Sequence, residues 1–295
     1  MNGPDAPRLR DWIELTKARI LGFALLAAVV AMAFAHAQAG TALEPLRVAV
    51  LIVGLALTAA GAAALNQVIE APIDALMERT RRRPIPAGRL SRDAALAFAL
   101  LAGAGGVAWL TWLVNPLTGG LALTMLAVYD FVYTPLKRVT PLNTVIGAFP
   151  GAMPVLIGWA AAGHGLSQVA GILFAILFLW QFPHFMAIAW IHRDDYRRAG
   201  LKMVSVADER FTGRQALQYA LALVPVSLLP SFAGAAGRLY FFGALALSLI
   251  FLAFALRFCL GGSTPRARWL LRVSIAYLPL LFALLAVDSA GAAIG

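Results

Sequence analysis

The stretch NQVIEAPIDALMERTRRRPIPAGRL, residues 66–90, decides how this sequence is interpreted. Asn66, Glu70 and Asp74 recur every four residues, so on a helix their side chains share one face, and Glu78 continues the row. Asn66 and Glu70 lie within or at the edge of a long apolar segment, where a carboxylate is costly unless it has a partner or a function. The row therefore marks a candidate site at one end of a hydrophobic helix.

Basic residues follow the acidic row closely. They are Arg79, Arg81, Arg82, Arg83 and Arg89. Side-chain oxygens on one helix face suit Mg²⁺, which prefers oxygen ligands and commonly shares them with substrate phosphates. Nearby guanidinium groups supply forked donors for phosphate oxygens. The pattern predicts a Mg²⁺–diphosphate site, although a helix end followed by a solvated basic loop would explain the arginines alone equally well.

The composition of the chain places this site in a membrane. Of its 295 residues 61% are hydrophobic and 13% charged, whereas soluble domains average about 45–50% apolar and about 25% charged residues. The apolar residues form runs long enough to cross a bilayer as helices, and no strand alternation is visible. The runs lie near positions 20–39, 48–68, 94–113, 117–136, 142–162, 167–190, 215–234, 239–258 and 269–291. We predict an all-α, polytopic transmembrane helical bundle of about nine spans, forming one domain.

The net charge of +10 follows the predicted topology rather than indicating a nucleic-acid partner. With nine spans the connections alternate between two sides, and every basic residue except Arg47 and Arg238 falls on the side of the N-terminus. The positive-inside rule therefore predicts a cytoplasmic N-terminus and a C-terminus outside. We expect no cleavable signal peptide in the cytoplasmic segment 1–19. We also expect that the cytoplasmic loops 69–93 and 191–214 carry the active site.

A second polar segment, HRDDYRRAGLKMVSVADER at residues 192–210, again combines acids and bases. The acids include Asp194 and Asp195, and the bases include Arg193, Arg197, Arg198 and Lys202. Two such clusters on one membrane face suggest a site assembled between two halves of the bundle. Solvated loop charges are the alternative interpretation of this segment.

The fourth apolar run ends in YDFVYTPLKR, with Asp130 about one turn inside the membrane. An intramembrane acid is a functional candidate by default. Tyr133 and Lys137 are four residues apart, although Pro135 lies between them and could end the helix. In the alternative interpretation, a loop arginine neutralises Asp130, and Tyr129 and Tyr133 belong to the interfacial aromatic belt.

The sixth run contains WQFPHFMAIAW at residues 180–190, with His184 in the middle of the segment. Gln181 lies about one turn before His184, and Trp180 and Phe185 are the aromatic neighbours of His184. A lone histidine in an apolar helix is more often a hydrogen-bonded packing residue than a ligand. Both interpretations remain open on the residues alone.

Taken together, these strings resemble the UbiA superfamily of intramembrane prenyltransferases, and within it the protohaem IX farnesyltransferase (haem O synthase) branch. The resemblance covers about residues 15–206. It rests on LTKAR, NQVIEAPIDALMERTRRRPIPAG, YTPLKRVTPLNTVIGAFPGAMPVLIGW, WQFPHFMAIAW and DDYRRAGLKMVSV. The strings around RTxxRP, TPLNTxIG and WQFPHF are typical of the haem branch. The resemblance implies a UbiA-type fold.

The resemblance also implies roles for individual residues. The first acidic motif falls on Asn66, Glu70 and Asp74, with glutamate where aspartate is usual, and the second falls around Asp195 in a less complete form. These four residues are the implied Mg²⁺ ligands, and with Tyr133 they form the implied catalytic set. The implied diphosphate-binding residues are Arg79, Arg82, Arg83, Lys137, Arg138 and Lys202. The residues implied to lie near the haem are His184, Gln181 and Trp180.

The implied reaction joins farnesyl diphosphate to haem b. Farnesyl adds to a vinyl group, water supplies a hydroxyl and diphosphate leaves, which gives haem O for haem–copper oxidase biogenesis. Mg²⁺ is the implied cofactor, and haem b is a substrate. The resemblance further implies a bacterial inner (plasma) membrane, contact with membrane lipid, a cytoplasmic active site, and a haem A synthase or oxidase assembly partner.

Three other functions compete with this interpretation. A UbiA-type enzyme acting on an aromatic quinone precursor or a lipid acceptor would use the same metal chemistry, so the acidic row cannot exclude it. A transporter is disfavoured because the acids cluster at one face and no matched pair of broken helices is visible. A structural subunit that merely binds haem would leave the acidic row without a role.

Overall fold

The hydrophobic runs of this chain fold as long helices. The computed structural model describes residues 8–204 and 209–292, except for the side chains of Glu209 and residues 289–292. Parts of the two predicted segments 1–19 and 191–214 therefore lie outside the described residues, namely 1–7 and 205–208.

Within these described ranges, nine helical segments are long and apolar enough to cross a membrane, which confirms the prediction of an all-α bundle with about nine spans. In chain order the helices are α1 (Leu9–Leu15), α2 (Ala18–Gln38), α3 (Pro45–Asp74), α4 (Arg92–Leu113), α5 (Pro116–Ala127), a π-helical stretch (Val128–Tyr133), α6 (Thr134–Leu136), α7 (Asn143–Ala161), α8 (Gln168–Ile191), α9 (Arg193–Arg198), α10 (Glu209–Phe232), α11 (Arg238–Leu260) and α12 (Thr264–Ala292). The fourth span consists of α5, the π-helical stretch and α6. Helices α1 and α9 are short and lie outside the spans.

Helix α3 extends beyond the apolar run that predicted it. The run ends near residue 68, whereas the helix continues through Pro72 to Asp74. Asn66, Glu70 and Asp74 therefore belong to one continuous helix and share one face of it. All three side chains are buried, so the acidic row faces the interior of the bundle.

Small residues let α3 and α4 approach until their backbones touch. A Cβ atom on Gly61 would lie 2.4 Å from the backbone nitrogen of Gly103. A Cβ atom on Gly106 would lie 2.4 Å from the backbone nitrogen of Thr58. Close contact between small residues is a common basis of helix association in membranes. This contact fixes the position of the helix that carries the acidic row.

The fourth span changes its hydrogen-bond register near its end. The Thr134 N–H donates to the carbonyl of Tyr129, five residues earlier, which is the π-helical pattern. The Thr134 hydroxyl donates to the same carbonyl at 2.9 Å. Pro135 has no N–H with which to continue the α-helical pattern. In this register Thr134 accepts a hydrogen bond from Asn66 Nδ2 at 2.9 Å, so the fourth span is tied to α3.

Two polar connections meet at the end of α3. Residues 75–91, between α3 and α4, form irregular turns, and α9 follows the sixth span. Asp195 Oδ1 of α9 accepts a hydrogen bond from the backbone N–H of Glu78 at 3.2 Å. The same oxygen accepts from the guanidinium of Arg198. Asp195 therefore joins the two loops that the sequence predicted to form one site.

The close contact at the glycines predicts that substitutions at two adjacent positions in α4 change thermal stability differently. Gly106→Ala places a methyl group against the backbone of α3 and should cost about 1–3 kcal/mol. Gly105→Ala is the matched control, because a Cβ atom there meets nothing within 4 Å. Thermal unfolding of the detergent-purified proteins should show a lower Tm for Gly106→Ala alone. Equal Tm values would show that the close helix contact is not stabilising.

The contact between the two loops predicts that substitutions at two adjacent aspartates change the rate of trypsin cleavage differently. Asp195→Ala removes a charge-assisted hydrogen bond worth about 1.5–3 kcal/mol, so the 75–91 segment should open more often. Trypsin should then cleave this segment at least several-fold faster. Asp194→Ala is the control, because Asp194 is exposed and pairs with Arg197 on its own helix. Identical cleavage rates in the two variants would contradict the bridging role of Asp195.

Candidate functional site

Asn66 lies at the meeting point of three spans. Its Oδ1 accepts a hydrogen bond from Lys17 Nζ at 2.7 Å, and its Nδ2 donates to the Thr134 hydroxyl. Lys17 Nζ also lies 3.3 Å from the hydroxyl of Tyr129. The first residue of the acidic row is therefore connected both to the start of the first span and to the end of the fourth.

Lys17 reaches this position through an uncommon backbone conformation. It precedes α2 with a φ of 52°, in the left-handed region that non-glycine residues seldom adopt. Burial, together with repulsion from Arg83 and Lys137, lowers the pKa of Lys17 to about 7. In the sequence, Lys17 is part of LTKAR and has no predicted role in the site. Its position just before an apolar run was the available signal.

Glu70 is paired with Lys137 in a largely buried contact. Lys137 Nζ lies 2.7 Å from Glu70 Oε1, and the two side chains are 14% and 11% exposed. The same nitrogen lies 4.4 Å from the ring centroid of Tyr133. Burial alone would lower the pKa of Lys137, but Tyr133 and Glu70 outweigh it and hold that pKa above its usual value. The structure thus brings together these three predicted site residues, despite Pro135.

Asp74 is paired with Arg83 and keeps one oxygen free. Arg83 donates to Asp74 Oδ2 at 2.6 Å, and the Thr80 hydroxyl donates to the backbone carbonyl of Asp74 at 2.9 Å. Asp74 Oδ1 is buried and has no hydrogen-bond partner in the described part of the chain. Buried oxygens are nearly always satisfied, so this one marks a position that a cation could occupy.

The predicted metal ligands share one end of the bundle, but they do not form a ready ligand cage. Each carboxylate of the predicted set already contacts a cation of the chain: Lys137, Arg83 or Arg198. In the residues that the structure describes, no group of three or more histidine, cysteine or acidic side chains is arranged to hold a metal. The site is therefore internally neutralised, and a metal would have to replace these cations.

The remaining predicted diphosphate-binding residues differ in position. Arg79 stacks over the ring of Tyr196, with the guanidinium 5.8 Å from the ring centroid. Arg82 and Arg138 are exposed. Lys202 exposes its side chain, but its backbone N–H donates to the carbonyl of Lys137 at 2.9 Å. These residues border the acidic row rather than contacting it.

Arg89, which the sequence grouped with the phosphate donors, faces a different element. It donates to Glu14 Oε2 of α1 at 2.9 Å and also pairs with Asp11. Arg89 therefore ties the 75–91 segment to α1. Its charge is already compensated there by two carboxylates.

A pocket of about 510 Å³ opens beside Glu70. It is lined by Ile69, Glu70, Ile73, Thr134, Pro135, Arg138 and Val139. Most of this lining is apolar, and the polar groups among these residues belong to the acidic row or to the end of the fourth span. The pocket suits a molecule that combines an apolar chain with a charged group.

Asp130 is fully buried, and neither of its carboxylate oxygens has a hydrogen-bond partner among the described residues. The alternative in which a loop arginine neutralises Asp130 is therefore wrong for this structure. Tyr129 and Tyr133 contact Lys17 and Lys137, respectively, rather than forming a simple interfacial belt. The π-helical stretch places all three residues near the cationic side chains of the site.

The predicted haem-proximal residues divide into two environments. His184 Nδ1 lies 2.8 Å from the hydroxyl of Ser274 in α12, and Trp180 stacks on the His184 ring with centroids 5.2 Å apart. Gln181 is buried instead against α7, where it donates to the Ala148 carbonyl at 3.0 Å. Ser274 was missed because an isolated serine in an apolar run carries no pattern.

Comparison with known proteins identifies the family. Residues 16–286 match the UbiA prenyltransferase family. Protoheme IX farnesyltransferase of Solibacter usitatus (strain Ellin6076) is 46% identical over 291 residues, which cover 96% of this chain and 100% of that protein. Further bacterial relatives that carry the same name are 40–44% identical.

Solved structures share the fold at low sequence identity. A digeranylgeranylglyceryl phosphate synthase superposes with a TM-score of 0.79 at 14% identity, covering 95% of this chain and 98% of that chain. A UbiA homologue from Archaeoglobus fulgidus bound to GPP and Mg²⁺ gives a TM-score of 0.66 at 14% identity, covering 94% and 99%. The full-length sequence match and the shared fold lead to one conclusion. The chain is an integral membrane protein that belongs to the UbiA prenyltransferase family.

Proposed function

We propose that this chain transfers the farnesyl group of farnesyl diphosphate to a vinyl group of protohaem IX (haem b), with addition of water, and releases haem O and diphosphate. The buried row of Asn66, Glu70 and Asp74, each held by a cation of the same chain, is the observation that carries the diphosphate chemistry. Relatives up to 46% identical along nearly the whole chain are named protoheme IX farnesyltransferase, and this name supports haem as the acceptor.

The residues present fit Mg²⁺ as the cofactor. Asn66, Glu70 and Asp74 present oxygen atoms on one helix face, and Asp74 Oδ1 is buried without a partner among the described groups. These three residues would hold the ion, and Asp195 would contribute from the neighbouring loop. Bound Mg²⁺ supplies charge neutralisation of the diphosphate leaving group. The GPP and Mg²⁺ bound by the Archaeoglobus fulgidus homologue support this assignment.

The cations of the site change partners when substrate binds. Lys137 and Arg83 neutralise Glu70 and Asp74 in this structure, and Lys17 binds Asn66; we assign these three cations to the phosphate oxygens of the bound substrate. Arg138 borders the pocket beside Glu70 and is positioned to meet an incoming diphosphate. The assignment of Arg79, Arg82 and Lys202 to diphosphate requires their side chains to turn inward, because they now contact Tyr196 or are exposed.

Ionisation of an allylic diphosphate leaves a carbocation that must be protected from water. The Tyr133 ring already lies beside the Lys137 ammonium, so its π-face is placed to stabilise the farnesyl cation after diphosphate departs. The apolar pocket wall formed by Ile69, Ile73 and Val139 would exclude water from the prenyl chain. The cation then joins the vinyl carbon, and water adds at the adjacent carbon and loses a proton.

The product has a defined use under this proposal. Haem O would pass to a haem A synthase or an oxidase assembly protein for haem–copper oxidase biogenesis. We place the chain in the bacterial inner membrane with the acidic row at the cytoplasmic side and the C-terminus outside. The distribution of arginine and lysine across the connections supports this orientation.

Substitution of the acidic row tests the active site. Asn66→Ala, Glu70→Ala and Asp74→Ala should each lower haem O formation by at least about a hundredfold, because each removes an oxygen that would hold Mg²⁺ at the leaving group. Glu78→Ala is the matched control: Glu78 continues the row but is exposed and pairs with Arg81. Mass analysis of the extracted haem measures the product, hydroxyethylfarnesyl haem. Full activity of all three purified row variants would overturn the assignment.

The same mass analysis identifies the acceptor. Cells that express the chain should accumulate hydroxyethylfarnesyl haem. Unmodified haem b alone, together with a prenylated quinone precursor or lipid, would favour the rival acceptor. Purified protein supplied with farnesyl diphosphate and each acceptor in turn gives the same comparison without cellular enzymes.

The orientation is tested by cysteine labelling. In a Cys259→Ser background, Leu43→Cys lies between the first and second spans and Leu142→Cys between the fourth and fifth. A membrane-impermeant maleimide added to intact spheroplasts should label Leu43→Cys, whereas Leu142→Cys should react after the cells are permeabilised. The reverse pattern would place the acidic row outside the cell.

A further inference from the structure

The Ser274 hydroxyl makes two contacts that bear on the tautomer of His184. The Ser274 hydroxyl donates to the backbone carbonyl of Leu271 at 2.7 Å, so its single proton is already used. At the 2.8 Å contact with His184 Nδ1, we therefore assign the serine oxygen as the acceptor and the histidine as the donor. The neutral His184 ring then carries its proton on Nδ1 and its lone pair on Nε2.

The lone pair on Nε2 has no protein partner in the described ranges. The hydrogen bonds of His184 end at Ser274, and its side chain is partly exposed rather than sealed in the packing. A histidine that only connected α8 to α12 would not need an accessible Nε2. This arrangement presents a neutral imidazole nitrogen, which is a good ligand for iron.

The ring orientation of His184 is also constrained. Trp180 stacks on the His184 ring, and the opposite neighbour of Trp180 is Phe23 of α2, with ring centroids 5.4 Å apart. The Trp180 indole N–H donates to the backbone carbonyl of Ser274 at 2.8 Å. Ser274 therefore holds His184 through its side chain and Trp180 through its backbone. The result is an aromatic stack formed by residues of α2 and α8, which hydrogen bonds to Ser274 tie to α12.

The position of this stack relates it to the acidic row. His184 lies seven residues before Ile191, where α8 ends, so it lies about 10 Å from that end of the helix. Helix α9 follows at once, and its Asp195 contacts the loop that begins after Asp74. His184 therefore lies toward the end of α8 that leads into the loops of the proposed diphosphate site.

We propose that His184 Nε2 is the axial ligand of the haem iron in the acceptor substrate, and that Ser274 is the positioning residue that fixes its tautomer and orientation. This inference rests on the proposed function and specifies how its acceptor is held. Histidines that bind metal usually donate their other ring N–H to a neighbouring oxygen, as His184 does here.

Spectroscopy of bound haem b tests the ligation without relying on turnover. Purified protein titrated with haem b should show a nitrogen-ligated Soret band and, in the ferrous form, an iron–histidine stretching band in the resonance Raman spectrum. His184→Ala should lose that band and bind haem at least about tenfold more weakly, and added imidazole should restore the band. His36→Ala, a change at the buried histidine near the other end of the first span, is the control and should leave the spectrum unchanged.

The role of Ser274 has its own readout. Ser274→Ala should keep the iron–histidine band but shift its frequency and speed haem dissociation by several-fold, because Nδ1 loses its acceptor. Ser274→Thr retains a hydroxyl and should restore both values. An unshifted band in Ser274→Ala would overturn the positioning role.

Two outcomes separate this inference from the proposed function. If the wild type makes haem O and the iron–histidine band persists in His184→Ala, the ligation fails and the proposed function stands. If the wild type binds haem b through His184 but forms no farnesylated haem, the ligation stands and the proposed function fails.

Discussion

The need to pair every charge in a weakly polar environment governs one end of this bundle. An unpaired carboxylate inside a membrane protein costs several kcal/mol, so each acid of the row must have a cation nearby. Lys137 reaches Glu70 across 67 residues of sequence, and Lys17 reaches the uncharged amide of Asn66 across 49. These contacts draw the first, second and fourth spans together at their ends. The same cations are the groups that a diphosphate would need, so one set of side chains serves the fold and the proposed chemistry.

The sequence predicted correctly the features that depend on residues close together in the chain. The nine spans follow from hydrophobic runs, and the acidic row follows from a spacing of four residues on a helix. The true length of α3 was underestimated because the polar residues that end the apolar run do not end the helix. The roles of the predicted site residues and the sidedness of the membrane remain predictions.

Partners that depend on span adjacency could not be read from the sequence. Nothing in a single sequence states that the first and fourth spans border α3, so Lys17 looked like one more positive-inside residue. Its left-handed backbone and the π-helical stretch are likewise properties of the packed chain. Ser274 is a small polar residue in an apolar run, and its contact with His184 spans 90 residues. Its proposed role depends on hydrogen bonds that only the folded chain forms.

The π-helical stretch makes the fourth span sensitive to insertions and deletions. A helix turns by about 100° per residue, and a π-turn accommodates one additional residue in that rotation. Deleting one residue between Asn115 and Tyr129 would swing Tyr133, Thr134 and Lys137 together away from α3, even though none of them had been replaced. For this span, the number of residues matters as much as their identity.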